Sequence, residues 1–172
     1  MNLLSGAADT SEQMREPWFD FPINPLDEVV PGLWQASSEL DPPELFARGF
    51  DAIFDLGDRP RGHSVPGRAY VYYRIEDVPS IEDPSVIDAL AEQVASRVQA
   101  GERVVVNCAA GLNRSGLLVG RALIALGHAP SDAIDLVRRA RGSHALCNQR
   151  FAAWLLEDCS PRGTPRRVRG HD

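Results

Sequence analysis

Cysteine is scarce in this chain: Cys108, Cys147 and Cys159 are its only thiols, with no C-x-x-C spacing among them. That count argues against a disulfide framework and against a cysteine-built zinc site. Long apolar runs are missing too. The longest, from Leu117 to Leu126, is broken by Gly120 and Arg121 and falls short of a membrane span. The opening residues MNLLSGAADTSEQMREP have neither a cationic start nor an apolar segment of signal-peptide length. His63, His128 and His144 lack any metal-binding spacing and read as surface or structural residues, so neither metal nor cofactor is expected. Positive charge is in deficit. A formal net charge of −6 argues against broad affinity for nucleic acid or anionic membrane. These absences together lead to the expectation of a soluble, cytoplasmic protein, where a lone thiol stays reduced and able to react.

What is present suits one compact domain. The chain has 172 residues with 44% hydrophobic content, enough for a sizeable core. Residues 1–16 are polar and unpatterned and read as a mobile leader; the Pro/Gly/Arg-rich stretch 160–172 reads as a disordered basic tail. Residues 17–159 then form the folded domain. Within it, strand and helix signals alternate. Glu28–Ala36 reads as two extended pieces split by a Pro-Gly turn, and Asp51–Leu56 and Ala69–Ile75 read as strands. Asp41, Pro42, Pro43 and Glu44 signal the start of a short helix over 42–48, stopped by Gly49. A longer helix begins at Asp83-Pro84 and carries Ile87, Leu90, Val94 and Val98 on one face. Arg103–Asn107 has the continuous apolar character of a strand buried on both faces. Arg114–Leu126 reads as a central helix, and Ser131 and Asn148 as N-caps of helices over 132–141 and 149–158, the second turning Phe151, Trp154 and Leu155 inward. Trp18, Trp34 and Trp154 suit core or terminal anchors, and Arg138, Arg139 and Arg141 suit the C-terminal end of a helix dipole. Alternation of this kind predicts an α/β fold, a central, mostly parallel sheet flanked by helices.

The stretch Val104–Gly116, VVVNCAAGLNRSG, carries the chemistry. It reads as a buried strand, then Cys108, then a loop of small residues, then Arg114, Ser115 and Gly116 entering a buried helix. A thiol attacks as thiolate, and converging N–H groups at a helix N-terminus favour that anion. The backbone of Ala109, Ala110, Gly111, Leu112 and Asn113 can equally cradle a tetrahedral oxyanion, since small side chains leave the cradle open. Arg114 can return over the cavity and grip two phosphoryl oxygens with its planar fork. Ser115 can donate a hydrogen bond to the sulfur and help it leave from a covalent intermediate.

Cys108-Ala-Ala-Gly-Leu-Asn-Arg114-Ser115 resembles the signature loop of the protein tyrosine phosphatase superfamily, in a setting similar to its dual-specificity branch. The likeness runs over about Val29–Leu156. It includes Val30-Pro31-Gly32-Leu33-Trp34 as an early strand pair and Ala145–Phe151 leading into the last helix. The resemblance implies a metal-free, two-step phosphomonoester hydrolysis: Cys108 attacks phosphorus, an acid protonates the leaving oxygen, and water hydrolyses the phosphocysteine. It also implies that the acid lies on a loop upstream, at Ile75-Glu76-Asp77-Val78-Pro79. Asp77 is the first candidate there, Glu76 the second and Asp83 a distant third. One departure stands out. The family places His before the cysteine, whereas this chain has Asn107, a supporting residue able to hydrogen-bond a nearby carbonyl.

Three functions follow from the loop. The first is a protein tyrosine or dual-specificity phosphatase acting on a phosphorylated protein or peptide. The second is an RNA 5′-triphosphatase-like enzyme, because Gly111-Leu112-Asn113-Arg114 also resembles that loop; nucleic acid enters only through this alternative. The third is a weakly catalytic phosphate-binding module, suggested by Asn107. No cation lies between Cys108 and Arg114 to meet the extra phosphates of a phosphoinositide.

Overall fold

The computed structural model describes residues 24–157. The expected leader, the basic tail, both limits of the expected domain, Trp18 and Cys159 lie outside the described residues. Five strands form one sheet: β1 (Leu26–Val30), β2 (Leu33–Ala36), β3 (Ala52–Asp55), β4 (Ala69–Tyr72) and β5 (Val104–Asn107). Their spatial order is β1-β2-β5-β3-β4. β1 runs antiparallel to β2, and the other neighbours are parallel. The Pro31-Gly32 turn joining β1 to β2 uses Gly32 at φ 85°, a conformation open to glycine.

Central placement explains the apolar run of β5. All four of its residues are buried, and strands lie on both sides of it. Alternate side chains go to opposite faces. Leu33, Phe54, Val104 and Val106 face a core made with α2 (Pro84–Gln99), α3 (Arg114–Ala125), α4 (Pro130–Arg141) and α5 (Gln149–Glu157). Trp34, Ile53 and Val105 face a smaller core closed by Leu45 and Phe46 of α1 (Pro42–Ala47). α3 is the central helix expected from its all-round apolar character. Leu117, Leu118 and Leu123 are fully buried along it, each burial worth about 1.5–3 kcal/mol.

Local signals explain most element ends. Asp41 Oδ1 accepts from the Glu44 N–H at 2.8 Å and caps α1. Asn148 Oδ1 accepts from the Arg150 N–H at 3.1 Å and the Phe151 N–H at 3.4 Å, capping α5. Three signals at element ends act differently from expectation. β4 stops at Tyr72 rather than Ile75, because β3 offers it partners only as far as Asp55. α4 starts at Pro130, with Ala129 rather than Ser131 at the N-cap position; proline at N1 already has the helical φ and needs no capped N–H. Asp83 precedes α2 but accepts from Ser85 Oγ at 2.8 Å instead of capping a backbone N–H.

Candidate active site

β5 delivers Cys108 to the C-terminal edge of the sheet, where it is 3% exposed. The following loop is held from outside by its carbonyls. Ala109 O accepts from the Ser38 N–H at 2.9 Å and from Ser38 Oγ at 3.0 Å. Gly111 O accepts from Gln35 Nε2 and from Arg141 Nε, both at 3.0 Å, and Leu112 O accepts from the Leu146 N–H at 3.4 Å. Carbonyls turned to the frame leave the opposite, amide side of the peptides for the concave side of the loop, the arrangement of an anion nest. Gly111 is required at its position. It has φ 68°, and a Cβ would lie 2.7 Å from the Ala36 backbone and 2.5 Å from Arg141 NH2.

A thiol and a hydroxyl meet inside. Cys108 Sγ and Ser115 Oγ are 3.3 Å apart, and Ser115 is fully buried. Arg114 opens α3 with its guanidinium against the ends of β3 and β4. Its NH1 donates to Asp58 Oδ1 at 2.9 Å, to Ile75 O at 3.4 Å and to Leu56 O at 3.5 Å. Among the described residues only NH1 of this group is so engaged, which leaves Nε and NH2 as an unused edge of the fork.

The three carboxylate candidates part company here. Asp77 reaches the loop: Oδ2 accepts from Asn113 Nδ2 at 3.0 Å and Oδ1 from Asn148 Nδ2 at 2.8 Å. Asn148 also donates to Val78 O at 3.1 Å and its backbone N–H to Asn113 Oδ1 at 3.0 Å. The N-cap of α5, the segment bearing Asp77 and the phosphate loop are therefore tied together at one point. Glu76 instead pairs with Arg74 at 2.8 Å, and Asp83 is engaged by Ser85.

Asn107 is fully buried on the sheet face that α1 covers. Its amide satisfies both neighbours when the nitrogen donates to Phe54 O at 3.1 Å and the oxygen accepts from Arg61 NH2. Arg61 extends this network. Its Nε donates to Asp55 Oδ2 at 3.2 Å and its NH1 to Ser38 O at 2.9 Å. The buried Asp55 also accepts from the Gly57 N–H at 3.1 Å and from Tyr70 OH at 2.8 Å. Burial first, and then the Asp55 carboxylate that accepts its proton, hold the Tyr70 phenol above its usual range; the Arg61 N–H donating to its oxygen opposes this.

Several supporting residues escaped sequence reasoning. Gln35, Asp55, Asp58 and Arg61 carry no local motif; each is recognisable only once the sheet order brings it to the loop or to the residues beside it. Arg141 was legible as a helix-end cation but has a different task. Its side chain is fully buried, donating to Gly111 O and to the Asp27 carboxylate of β1, so it braces the loop rather than a solvated helix terminus. Among the described residues no group of three or more His, Cys, Asp or Glu side chains could hold a metal ion, and no helix is long and apolar enough to cross a membrane.

A mostly parallel sheet whose central strand ends in a Cys-x5-Arg-Ser loop, with a carboxylate fastened to that loop, defines a cysteine-based phosphatase. Residues 33–159 match the dual specificity phosphatase, catalytic domain, and the chain belongs to that family. It is thus a cysteine-based protein phosphatase of the tyrosine or dual-specificity type, and the match does not favour the RNA 5′-triphosphatase or the weakly catalytic alternative. Solved structures share its fold. A mouse protein crystallised with zinc tungstate and assigned to the dual specificity phosphatases is 24% identical, with TM-score 0.68 over 77% of this chain and 85% of its own. Human DUSP28 is 23% identical, with TM-score 0.65 over 77% and 91%. The human tyrosine phosphatase-like serine/threonine/tyrosine-interacting protein is 22% identical, with TM-score 0.64 over 77% and 93%. No curated protein sequence matches the chain significantly.

Proposed function

We propose that the chain dephosphorylates protein or peptide substrates through a phosphocysteine intermediate, in the cytoplasm, with Cys108 as nucleophile and Asp77 as general acid and base. The observation that carries this reading is one loop holding both partners: Ser115 Oγ lies 3.3 Å from Cys108 Sγ, and Asn113 Nδ2 lies 3.0 Å from Asp77 Oδ2. In the first step sulfur bonds to phosphorus, the P–O bond to the leaving group breaks, and Asp77 gives that oxygen its proton. In the second, water attacks phosphorus, the P–S bond breaks with its electron pair passing to sulfur, and Asp77 takes the water proton. The loop amides and the unused edge of the Arg114 guanidinium meet the equatorial oxygens throughout.

Replacement of the nucleophile tests it. Cys108→Ser is expected to abolish turnover while retaining phosphate or phosphopeptide affinity, because cradle and Arg114 remain. Substantial residual turnover in a clean preparation would reject the mechanism. A panel of p-nitrophenyl phosphate, phosphotyrosine and phosphothreonine peptides and 5′-triphosphorylated RNA, run in EDTA, defines the substrate class. Preference for the RNA, or activity lost to EDTA, would contradict the proposal.

A further inference from the structure

Gln35 lies in β2, an interior strand, with its side chain fully buried on the face packed against α3. Positions of that kind are apolar as a rule, as are Leu33 on the same strand and Val104 and Val106 on β5. A buried amide costs stability unless its polar atoms are met. Only the nitrogen is. Nε2 donates to Gly111 O at 3.0 Å and to Ser115 Oγ at 3.1 Å, whereas Oε1 has no hydrogen-bond partner among the described residues. The orientation is forced, because the Gly111 carbonyl can only accept. An interior strand therefore carries an amide of which, among the described residues, only the nitrogen is met, and that half points at the Cys108 loop.

A hydroxyl has one proton and two lone pairs. Gln35 occupies a lone pair of Ser115, which frees the Ser115 proton for its other neighbour, Cys108 Sγ at 3.3 Å. We infer that Gln35 is a positioning residue that aims the Ser115 proton at the Cys108 sulfur and so speeds hydrolysis of the phosphocysteine. The inference rests on the phosphocysteine reading above. When water attacks phosphorus and the P–S electron pair returns to sulfur, charge grows where the Ser115 hydrogen bond ends; the serine proton is shared and not transferred. In the first step sulfur loses charge, so the same bond gives no help there. The benefit belongs to the second step.

Rapid mixing with p-nitrophenyl phosphate separates the two steps as a burst and a steady-state rate. Gln35→Leu and Gln35→Met are expected to keep the burst and lower the steady-state rate about threefold to tenfold, the scale of one neutral hydrogen bond. Ser115→Ala should slow it at least as much. Gln35→Leu added to Ser115→Ala should then cost little more, because the amide acts through the missing hydroxyl. Multiplicative losses in the double variant, an unchanged rate in Gln35→Leu, or loss of the fold in both Gln35 variants would overturn the inference. So would a Ser115→Ala enzyme as fast as wild type, however the Gln35 variants fold. Turnover surviving in Cys108→Ser would instead defeat the phosphocysteine reading itself, a separate outcome.

Discussion

At the scale of single residues, the site separates groups that look interchangeable in the sequence. Glu76 and Asp77 are adjacent carboxylates, yet one is held by Arg74 and the other by two asparagines at the phosphate loop. Asp77→Asn is therefore expected to lower turnover of a substrate with a poor leaving group by about 10²–10⁴, the range of general acid catalysis. Glu76→Gln should stay near wild type. Steady-state kinetics on a phosphopeptide decide it, and the reverse pattern would exchange the roles. Arg114 has its own test. Arg114→Lys keeps the charge but lacks the planar fork, and it also gives up the geometry by which NH1 meets Asp58, Ile75 and Leu56. A fall in kcat/KM of roughly a hundredfold or more is expected, the cost of losing a transition-state donor. Near-normal kinetics would put the guanidinium outside the reaction.

At the scale of elements, two short segments meet the loop through single residues. Gly111 carries the tightest turn. Gly111→Ala would force a Cβ to within 2.7 Å of the Ala36 backbone at φ 68°, so the loop must open. Turnover is expected to fall at least about tenfold while the fold survives, since left-handed strain at one residue costs only about 1–2 kcal/mol. Circular dichroism and kinetics on one preparation read both. Asn148 joins the N-terminus of α5 to the segment of Asp77, so Asn148→Ala removes a cap worth about 1 kcal/mol and also loosens the proposed acid Asp77. Its melting temperature and its turnover should fall together.

These elements also show how far the sequence reaches. Strand, loop and helix around Cys108 were legible because their logic is local: a buried run, small residues, then Arg and Ser at fixed spacing. α1 and α5 were legible through the caps Asp41 and Asn148. The start of α4 was misread because Pro130 and Ser131 are both plausible starting residues, and proline's fixed φ won. The brace around the loop was not legible, since Gln35 and Arg141 reach Gly111, and Arg61 reaches Ser38 beside it, across sequence separations that only the order β1-β2-β5-β3-β4 brings together.

At the scale of the whole molecule, the two sheet faces divide the work. One holds the Cys108 loop through α3 and Gln35, and the other anchors the strand ends through Asn107, Arg61, Asp55 and Tyr70. Tyr70 makes this second network visible to pH. Its proton is held more tightly in the folded state than in the unfolded chain, so its contribution is complete below the unfolded value of 10.0. It is lost as pH rises through the higher folded value. The chain has no lysine and three tyrosines, which leaves that alkaline window to few groups. Tyr70→Phe should flatten the fall in urea-unfolding stability above about pH 10. An unchanged slope would mean that Tyr70 titrates alike in both states.

The proposed reaction passes phosphate through Cys108. Rapid acid quench during turnover of a radiolabelled phosphopeptide, followed by peptide mapping, measures this most directly. Label is expected on Cys108 within the first turnover, decaying at the steady-state rate and accumulating further in Ser115→Ala. Turnover without any protein-bound label in Ser115→Ala, or label on another residue, would contradict it.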